Sequence, residues 1–405
     1  MFHRFFVSCC ISVYHTTTHF ILFHFGLGRQ LTTVKKMPYN LTVKKTEGKP
    51  GQVYYPLQLN EIPRPVPAAG HVLVRMSAAA LNHRDLFIRQ HLYPGISFEV
   101  DHPMLADGCG TVIELGPDTP SSLLGKRVLM TPSWGWDADP RGPEDDRRHS
   151  VIGATAMYPI GTAQDVISLP ADEVVPAPEH LSNTEAAALP LTGLTAWRAL
   201  VTKCDPQPGW NVLVTGIGGG VALHALQFAV ALGCNVFVTS SDQGKIDRAV
   251  GSMGARAGVS YKSPDWDRQL RSILPEDRQY LDCVVDGAGG DIVARSVRLL
   301  RSGGTIACYG MTLGPKMDWS VQAMLKNIEL KGSTMGSKKE FRDMVAFVRQ
   351  HRIVPVVSRV VRGGLKNLEG IEGLFEDMKH AKQFGKLVIL MEEEEDEQEG
   401  SSPKL

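Results

Sequence analysis

The chain is poor in cysteine, with seven among 405 residues, and no two of them form a C-x-x-C pair. The number is odd and the spacing wide. A structural zinc held by four close cysteines is therefore excluded. Cys234, Cys283 and Cys308 lie in or beside apolar runs and read as buried, reduced thiols. Net charge is also absent, because Lys+Arg and Asp+Glu both number 43. A chain without excess positive charge is not built to hold a nucleic acid backbone, and no nucleic acid partner is expected. Long apolar runs are missing too. No stretch approaches the ~18 residues of a membrane span, and the longest near the start are broken by His15, His19 and His24. No membrane partner is expected. What remains is an ordinary globular composition, 43% hydrophobic and 21% charged. At roughly 150 residues per domain, the length suggests two or three domains with sizeable cores.

The two ends differ from the body. Residues 1–36 contain no acid and only four bases, Arg4, Arg29, Lys35 and Lys36. They lack periodicity, so 1–37 reads as a disordered extension with the natural beginning near Met37. Residues 392–399 read EEEEDEQE, seven acids in eight positions. Such a block repels itself and stays solvated, so 392–405 reads as an acidic tail. The terminal Pro403-Lys404-Leu405 misses the peroxisomal Ser-Lys-Leu signal at its first position. The mitochondrial signature of the first segment is equally weak. A cytoplasmic location is the expectation.

The most informative segment is 210–262. Asn211–Thr215 is a short apolar run of strand length, and it breaks into Gly216-Ile217-Gly218-Gly219-Gly220. Ala222, Ala225, Leu226, Ala229 and Val230 then recur at helical spacing, and Asn235–Ser240 is a second strand. A strand, a glycine turn, a helix and a strand make a βαβ unit. Small residues let the backbone approach a pyrophosphate, and the free N–H groups that begin the helix hold the anion. Gly216, Gly219, Gly220 and Val221 are the expected cradle of a dinucleotide. The end of the second strand selects the coenzyme. An acid there bonds the ribose of NAD, but this chain presents Ser240, Ser241 and then Lys245, which suit a phosphate. NADP is the expected cofactor. Asp242 lies past the strand, where it equally suits a helix cap. Leu281–Val285 and Gly304–Tyr309 read as further strands of the same parallel sheet, with Gly310 at the ligand crevice.

Residues 38–175 alternate in short strands with Gly/Pro turns, as at Val72, Val74 and Met76, and in Thr111–Leu115 and Lys126–Met130. This predicts a small twisted β domain. The loop 132–150 is dense in Pro and charge; it also carries Trp134 and Trp136, which either rim a pocket or pack. Residues 338–390 predict a helix (338–349), a strand (354–360), a helix (365–379) and a final strand (386–390). These are expected to complete the edge of the nucleotide sheet and then return to the β domain. The fold class is α/β: a β domain over 38–175 completed by about 345–391, and a doubly wound parallel sheet domain over 176–344.

The order of motifs resembles the medium-chain dehydrogenase/reductase superfamily. The residues that carry the resemblance are Ala80-Leu-Asn-His-Arg-Asp85, Asp107-Gly-Cys-Gly110, Leu191-Thr-Gly-Leu-Thr-Ala-Trp197, the glycine turn, Val284-Val-Asp-Gly-Ala-Gly289 and Phe384-Gly-Lys-Leu-Val388. Within it the chain looks like the zinc-type alcohol dehydrogenase-like proteins beside the quinone oxidoreductases. The resemblance implies a GroES-like β domain, a Rossmann-type domain and a homodimer, with Tyr309–Thr312 or Ile328–Ser333 as the candidate edge strand. The positions that match the family's catalytic zinc ligands are Asn82, Ala106 and Thr192, which are poor zinc ligands, so no metal is expected. Without a Lewis acid, reduction of a quinone or an α,β-unsaturated carbonyl is the easier chemistry, because charge builds as an enolate that a few donors stabilise. The resemblance makes Asn82 the expected donor and sets Thr192 on the nicotinamide side. Tyr93 either donates to the enolate or packs. Asp85 is expected to orient Arg84 or the helix start. Two other readings stay open: an alcohol dehydrogenase with an atypical metal site, and a cofactor-binding protein without turnover.

Overall fold

The computed structural model describes residues 37–391. The extension expected before Met37, the acidic run 392–399 and the Pro-Lys-Leu end lie outside the described residues. The rest builds two large sheets and two small two-stranded ones, and the α/β class expected is the one observed.

The nucleotide sheet has six parallel strands. In spatial order they are Ala257–Ser260, Asn235–Ser240, Asn211–Val214, Leu281–Asp286, Leu300–Cys308 and Glu329–Gly332. Strands covered on both faces read as unbroken apolar runs. Every residue of Asn211–Val214 and of Leu281–Asp286 is accordingly buried. The chain starts in the middle of the sheet, builds to one side, and then crosses to the other. The order therefore reverses between Asn211–Val214 and Leu281–Asp286, and a crevice opens at the carboxyl ends of these two strands. The glycine turn and the helix Gly220–Ala231 sit at that point.

The second sheet has seven strands and is largely antiparallel. Lys386–Leu390, His71–Ala80, Asp107–Leu115, Arg127–Met130 and Val174–Pro176 follow one another, and Val166–Pro170 also pairs His71–Ala80. Register shifts at Leu73/Val74 and Met76/Ala78 mark irregularities that bend the strand. Its end, Ala78-Ala79-Ala80, is fully buried, and the small side chains let the helix Asn183–Ala187 lie against it. One core joins the two sheets: Ala78, Ala80 and Leu129 belong to the same apolar cluster as Val212, Val214 and Leu226. Among the described residues no helix is long and apolar enough to cross a membrane.

Residues 338–390 do not complete the edge of the nucleotide sheet. The strand expected at 354–360 lies in the other sheet. It forms as Val357–Val361 and pairs parallel to Lys386–Leu390 in the other sheet. The nucleotide sheet ends instead at Glu329–Gly332. The helix Leu368–Lys379 is the reason. Parallel neighbours need a long crossover, and this helix supplies it by burying Ile371, Leu374, Phe375 and Met378.

That helix is tied to the helix His83–Arg89 by one buried cation. The Arg89 guanidinium lies 4.1 Å from the Tyr54 ring centroid and 4.6 Å from that of Phe375, and donates to both Glu372 oxygens at 2.7 Å. Arg89 is 2% exposed at its side chain and Glu372 41%. The asymmetry sets the cost of breaking the pair. Glu372→Ala strands a buried charge and should cost about 3 kcal/mol. Arg89→Met leaves the carboxylate to water and should cost less, about 1–2 kcal/mol. Urea unfolding of both variants reads the order, and a greater loss for Arg89→Met would contradict the assignment.

Candidate active site

Asn82 follows the strand His71–Ala80 by two residues and caps the helix His83–Arg89 in extended conformation. The Asp85 carboxylate accepts its backbone N–H at 2.8 Å and also accepts from Arg84 Nη1 at 3.1 Å. Asp85 thus does both things expected of it. Burial raises its pKa, and Arg84 offsets only part of the rise. Because the backbone serves the cap, the Asn82 carboxamide is free to face the interior.

There it meets a buried ion pair. Lys386 Nζ donates to Asp107 Oδ2 at 2.7 Å, to Asn82 Oδ1 at 2.6 Å and to Leu81 O at 2.7 Å. Asn82 Nδ2 donates to the same Asp107 oxygen at 2.9 Å, and the amide of Leu191 donates to the other at 2.6 Å. Lys386 and Asp107 are both buried. The three ammonium protons are all used. The Asn82 amide has one orientation, since a flip would turn its NH2 group toward the ammonium and its oxygen toward the carboxylate. One Asn82 N–H remains uncommitted.

The glycine turn packs on the same array. A Cβ at Gly220 would lie 2.9 Å from Thr192 Cγ2 and 3.0 Å from Lys386 Cδ. The position therefore excludes a side chain. Gly216, at φ +66, has open space where a Cβ would sit, and Gly219 meets only the Gly216 carbonyl at 3.8 Å. No side chain caps the helix Gly220–Ala231, so the amides of Gly220 and Val221 are left to an anion. The residues fit a dinucleotide here. Gly385 N donates to Gly218 O at 2.9 Å and so joins the turn to the last strand. Beside the turn, His224 Nδ1 lies 2.9 Å from Gly220 O and 3.2 Å from Thr192 Oγ1. The carbonyl fixes the proton on Nδ1, and Nε2 is buried without a partner.

The other expected residues fare differently. Ser240 Oγ donates to Ile217 O at 3.3 Å and accepts from Asp242 N, so it braces the turn. Ser241 is half-buried. Asp242 caps the helix Gln243–Met253. Lys245 is partly engaged within the protein: its ammonium donates to Ala381 O and Gln383 O, each at 2.9 Å. Those carbonyls follow the end of the helix Leu368–Lys379, where exposed carbonyls favour a cation. Tyr93 is not part of the Asn82 array. Its ring lies 4.5 Å from the Arg84 guanidinium carbon, and it packs against the β-domain core. Gly310 lines a cavity of about 1120 Å³, where Trp136 also contributes a wall. Trp134 packs against Tyr158. The positions that match zinc ligands hold Asn82, Ala106 and Thr192, and among the described residues no group of three His, Cys, Asp or Glu side chains is placed to bind a metal ion. The donors do not fit zinc. Reading along the sequence missed the roles of Lys386, Asp107 and His224. The signal for Lys386 was a lone cation opening an apolar strand.

Two family models match the chain: "Alcohol dehydrogenase GroES-like domain" over residues 68–179 and "Zinc-binding dehydrogenase" over 220–350. A zinc-type alcohol dehydrogenase-like protein of Leptosphaeria maculans is 55% identical over 360 residues, 87% of this chain and 99% of that protein. An acryloyl-coenzyme A reductase of Metallosphaera sedula is 26% identical, over 82% of this chain and 96% of its own length. The crystal structure of an NAD-dependent alcohol dehydrogenase superposes with a TM-score of 0.74 at 30% identity, over 87% of this chain and all of that one.

Burial holds His224 down at about 4, with Lys386 adding to the effect and the Gly220 carbonyl opposing it. The unfolded chain takes up this proton near pH 6.5 and the folded chain only near 4. Stability is therefore fully present above pH 6.5 and is lost as pH falls toward 4, by about 3 kcal/mol for the single residue. Urea unfolding from pH 7 to 4 should show a flatter slope for His224→Gln, and an unchanged slope would show that His224 is not buried neutral.

Proposed function

The chain belongs to the medium-chain dehydrogenase/reductase superfamily and is an oxidoreductase that uses a nicotinamide cofactor, and we propose that it is an NADPH-dependent, zinc-independent reductase of quinones or α,β-unsaturated carbonyls. The observation that carries the proposal is the ammonium of Lys386 among the positions that match metal ligands, with Asn82 locked beside it. A cation bound to three protein acceptors offers no open coordination site, so it cannot polarise an unactivated alcohol as a metal does. It suits a substrate whose negative charge is already delocalised.

When bound, the reduced dinucleotide supplies a hydride to the β-carbon of the substrate, and the resulting enolate takes a proton from water. The protein supplies position and field. The amides at Gly220 and Val221 hold the pyrophosphate. Asn82 offers its remaining N–H to the carbonyl oxygen as charge develops there, and Lys386 with Asp107 keeps that N–H aimed. Thr192 lines the nicotinamide side, with its methyl against Gly220. Ser241 and the third proton of Lys245 remain for the 2′-phosphate. The acryloyl-coenzyme A reductase among the relatives supports a conjugated carbonyl as substrate.

A homodimer is proposed through the outermost strand of the nucleotide sheet. Glu329–Gly332 has one unpaired edge, and Leu313, Val321 and Leu325, in the segment that leads into it, are about two-thirds exposed or more. Antiparallel pairing of two copies about Leu330 sets Glu329 of each opposite Lys331 of the other.

The test is coenzyme oxidation with a panel of quinones, enones, aldehydes and alcohols. NADPH should exceed NADH at least tenfold in kcat/KM, enones or quinones should be turned over, and o-phenanthroline should change nothing. Lys386→Met should lower kcat about a hundredfold to a thousandfold, the range lost with one transition-state donor. One zinc per chain that activity requires, or a preference for NADH, would overturn the reading. Light scattering should give twice the chain mass, and Leu330→Arg should give the monomer.

A further inference from the structure

Between the loop 136–146 and the carboxyl ends of the strands Leu300–Cys308 and Glu329–Gly332 lies the cavity of about 1120 Å³. A short enone or simple quinone fills only part of it, since pockets for drug-sized ligands span roughly 300–1,000 Å³. Its wall carries both signs of charge, and most of these are already committed. Arg198 donates to Glu340 at 2.8 Å and stacks on Trp136 at 4.3 Å. Arg141 pairs with Asp139 at 3.0 Å. Glu144 accepts from the amides of Asp137, Ala138 and Asp139. Asp146 is exposed to water.

Lys203 is the exception. Its ammonium makes no hydrogen bond or ion pair with any described residue. Its carbonyl accepts from Lys331 Nζ at 3.0 Å, which fixes a second ammonium close by. Burial, then Arg198, and to a lesser extent Lys331 hold Lys203 below the usual ammonium range, while Glu340 opposes them. Lys331 is itself paired to Glu329 at 2.7 Å and Arg198 to Glu340 at 2.8 Å, so Lys203 is the cation of this wall that lacks a partner among the described residues. A second, independent group lines the same cavity. The Ser333 hydroxyl is buried, with the residue 9% exposed, and has no partner. A buried hydroxyl left unpaired is destabilising, a cost that an incoming acceptor removes.

We propose that this cavity receives an anionic group, carboxylate or phosphate, carried by the substrate away from its reacting carbonyl, with Lys203 paired to it and the Ser333 hydroxyl donating to it. Gly310 lines the same cavity, so the anionic end and the coenzyme share one recess. The proposal rests on the reductase reading above, and it narrows the substrate class to conjugated carbonyls bearing a remote negative charge.

Two matched pairs test it. The first is 4-(3-oxobut-1-enyl)benzoate and its methyl ester. The second is crotonyl-coenzyme A and crotonyl-pantetheine. The full-length protein should prefer the charged member of at least one pair at least tenfold in kcat/KM. Lys203→Met should abolish that preference, Lys203→Arg should keep it, and Ser333→Ala should reduce it about threefold. Preference in the first pair alone assigns a carboxylate, and in the second alone a phosphate. Equal turnover within both pairs, or a preference that survives Lys203→Met, overturns the proposal. If no enone is reduced, the reductase reading fails, and the cavity is still judged by binding. Calorimetry with 4-(3-oxobutyl)benzoate and with coenzyme A should then show at least tenfold weaker binding of one of them to Lys203→Met. Equal binding, or none, overturns the site.

Discussion

Two opposite charges without access to water hold the two halves of this molecule in register. Removing Lys386 and Asp107 from solvent is costly, by several kcal/mol per ion after relaxation. The cost is offset because every proton and both oxygens are satisfied. Lys386 gives its three protons to Leu81, Asn82 and Asp107. Asp107 takes the ammonium, the Asn82 amide and the Leu191 N–H. The partners come from the end of one strand, the start of a second, the last strand of the chain and the helix Pro190–Trp197. That helix packs on Gly220–Ala231, the helix of the glycine turn. The pair therefore fixes the distance between the coenzyme cradle and the carboxamide. It needs the fold complete, because Lys386 and Asp107 lie 279 residues apart.

What was legible in the sequence was local. Asn211–Val214, the glycines and the helix after them follow from a short apolar run and a change of period, and the structure returns them with shifts of a residue or so at the ends. Asn82, Thr192 and Gly220 could be picked from short motifs and do come together. Lys386 could not be assigned a role, because a cation in an apolar strand declares nothing about its partner. The sheet that the strand Val357–Val361 extends is equally hidden in its local sequence. Both sheets have an open edge that a parallel strand can extend, and only the packing of the helix Leu368–Lys379 decides between them. The sixth nucleotide strand, Glu329–Gly332, gave a faint signal because an exposed edge carries charges where the central strands carry valine and leucine. Lys245 shows a subtler limit. Its type and position suit a phosphate, yet two carbonyls from a segment 136 and 138 residues away claim two of its protons.

The ammonium also bears on the range of chemistry open to the site. A metal ion accepts a substrate oxygen directly and stabilises a localised alkoxide. Lys386 makes no such contact, since its hydrogen bonds are spent within the protein. What it transmits to the substrate is geometry, through an amide that has a single orientation and one free N–H. A single neutral donor stabilises an oxyanion by less than a metal does, which is sufficient only if the oxyanion is shared with a π system. Under the proposed reading, an arrangement that works without a metal selects for conjugated substrates. It also shifts the burden of recognition elsewhere, because one N–H distinguishes few carbonyl compounds from one another. The large recess beside Gly310, with its unpaired ammonium and unpaired hydroxyl, is where the remaining specificity has room to reside.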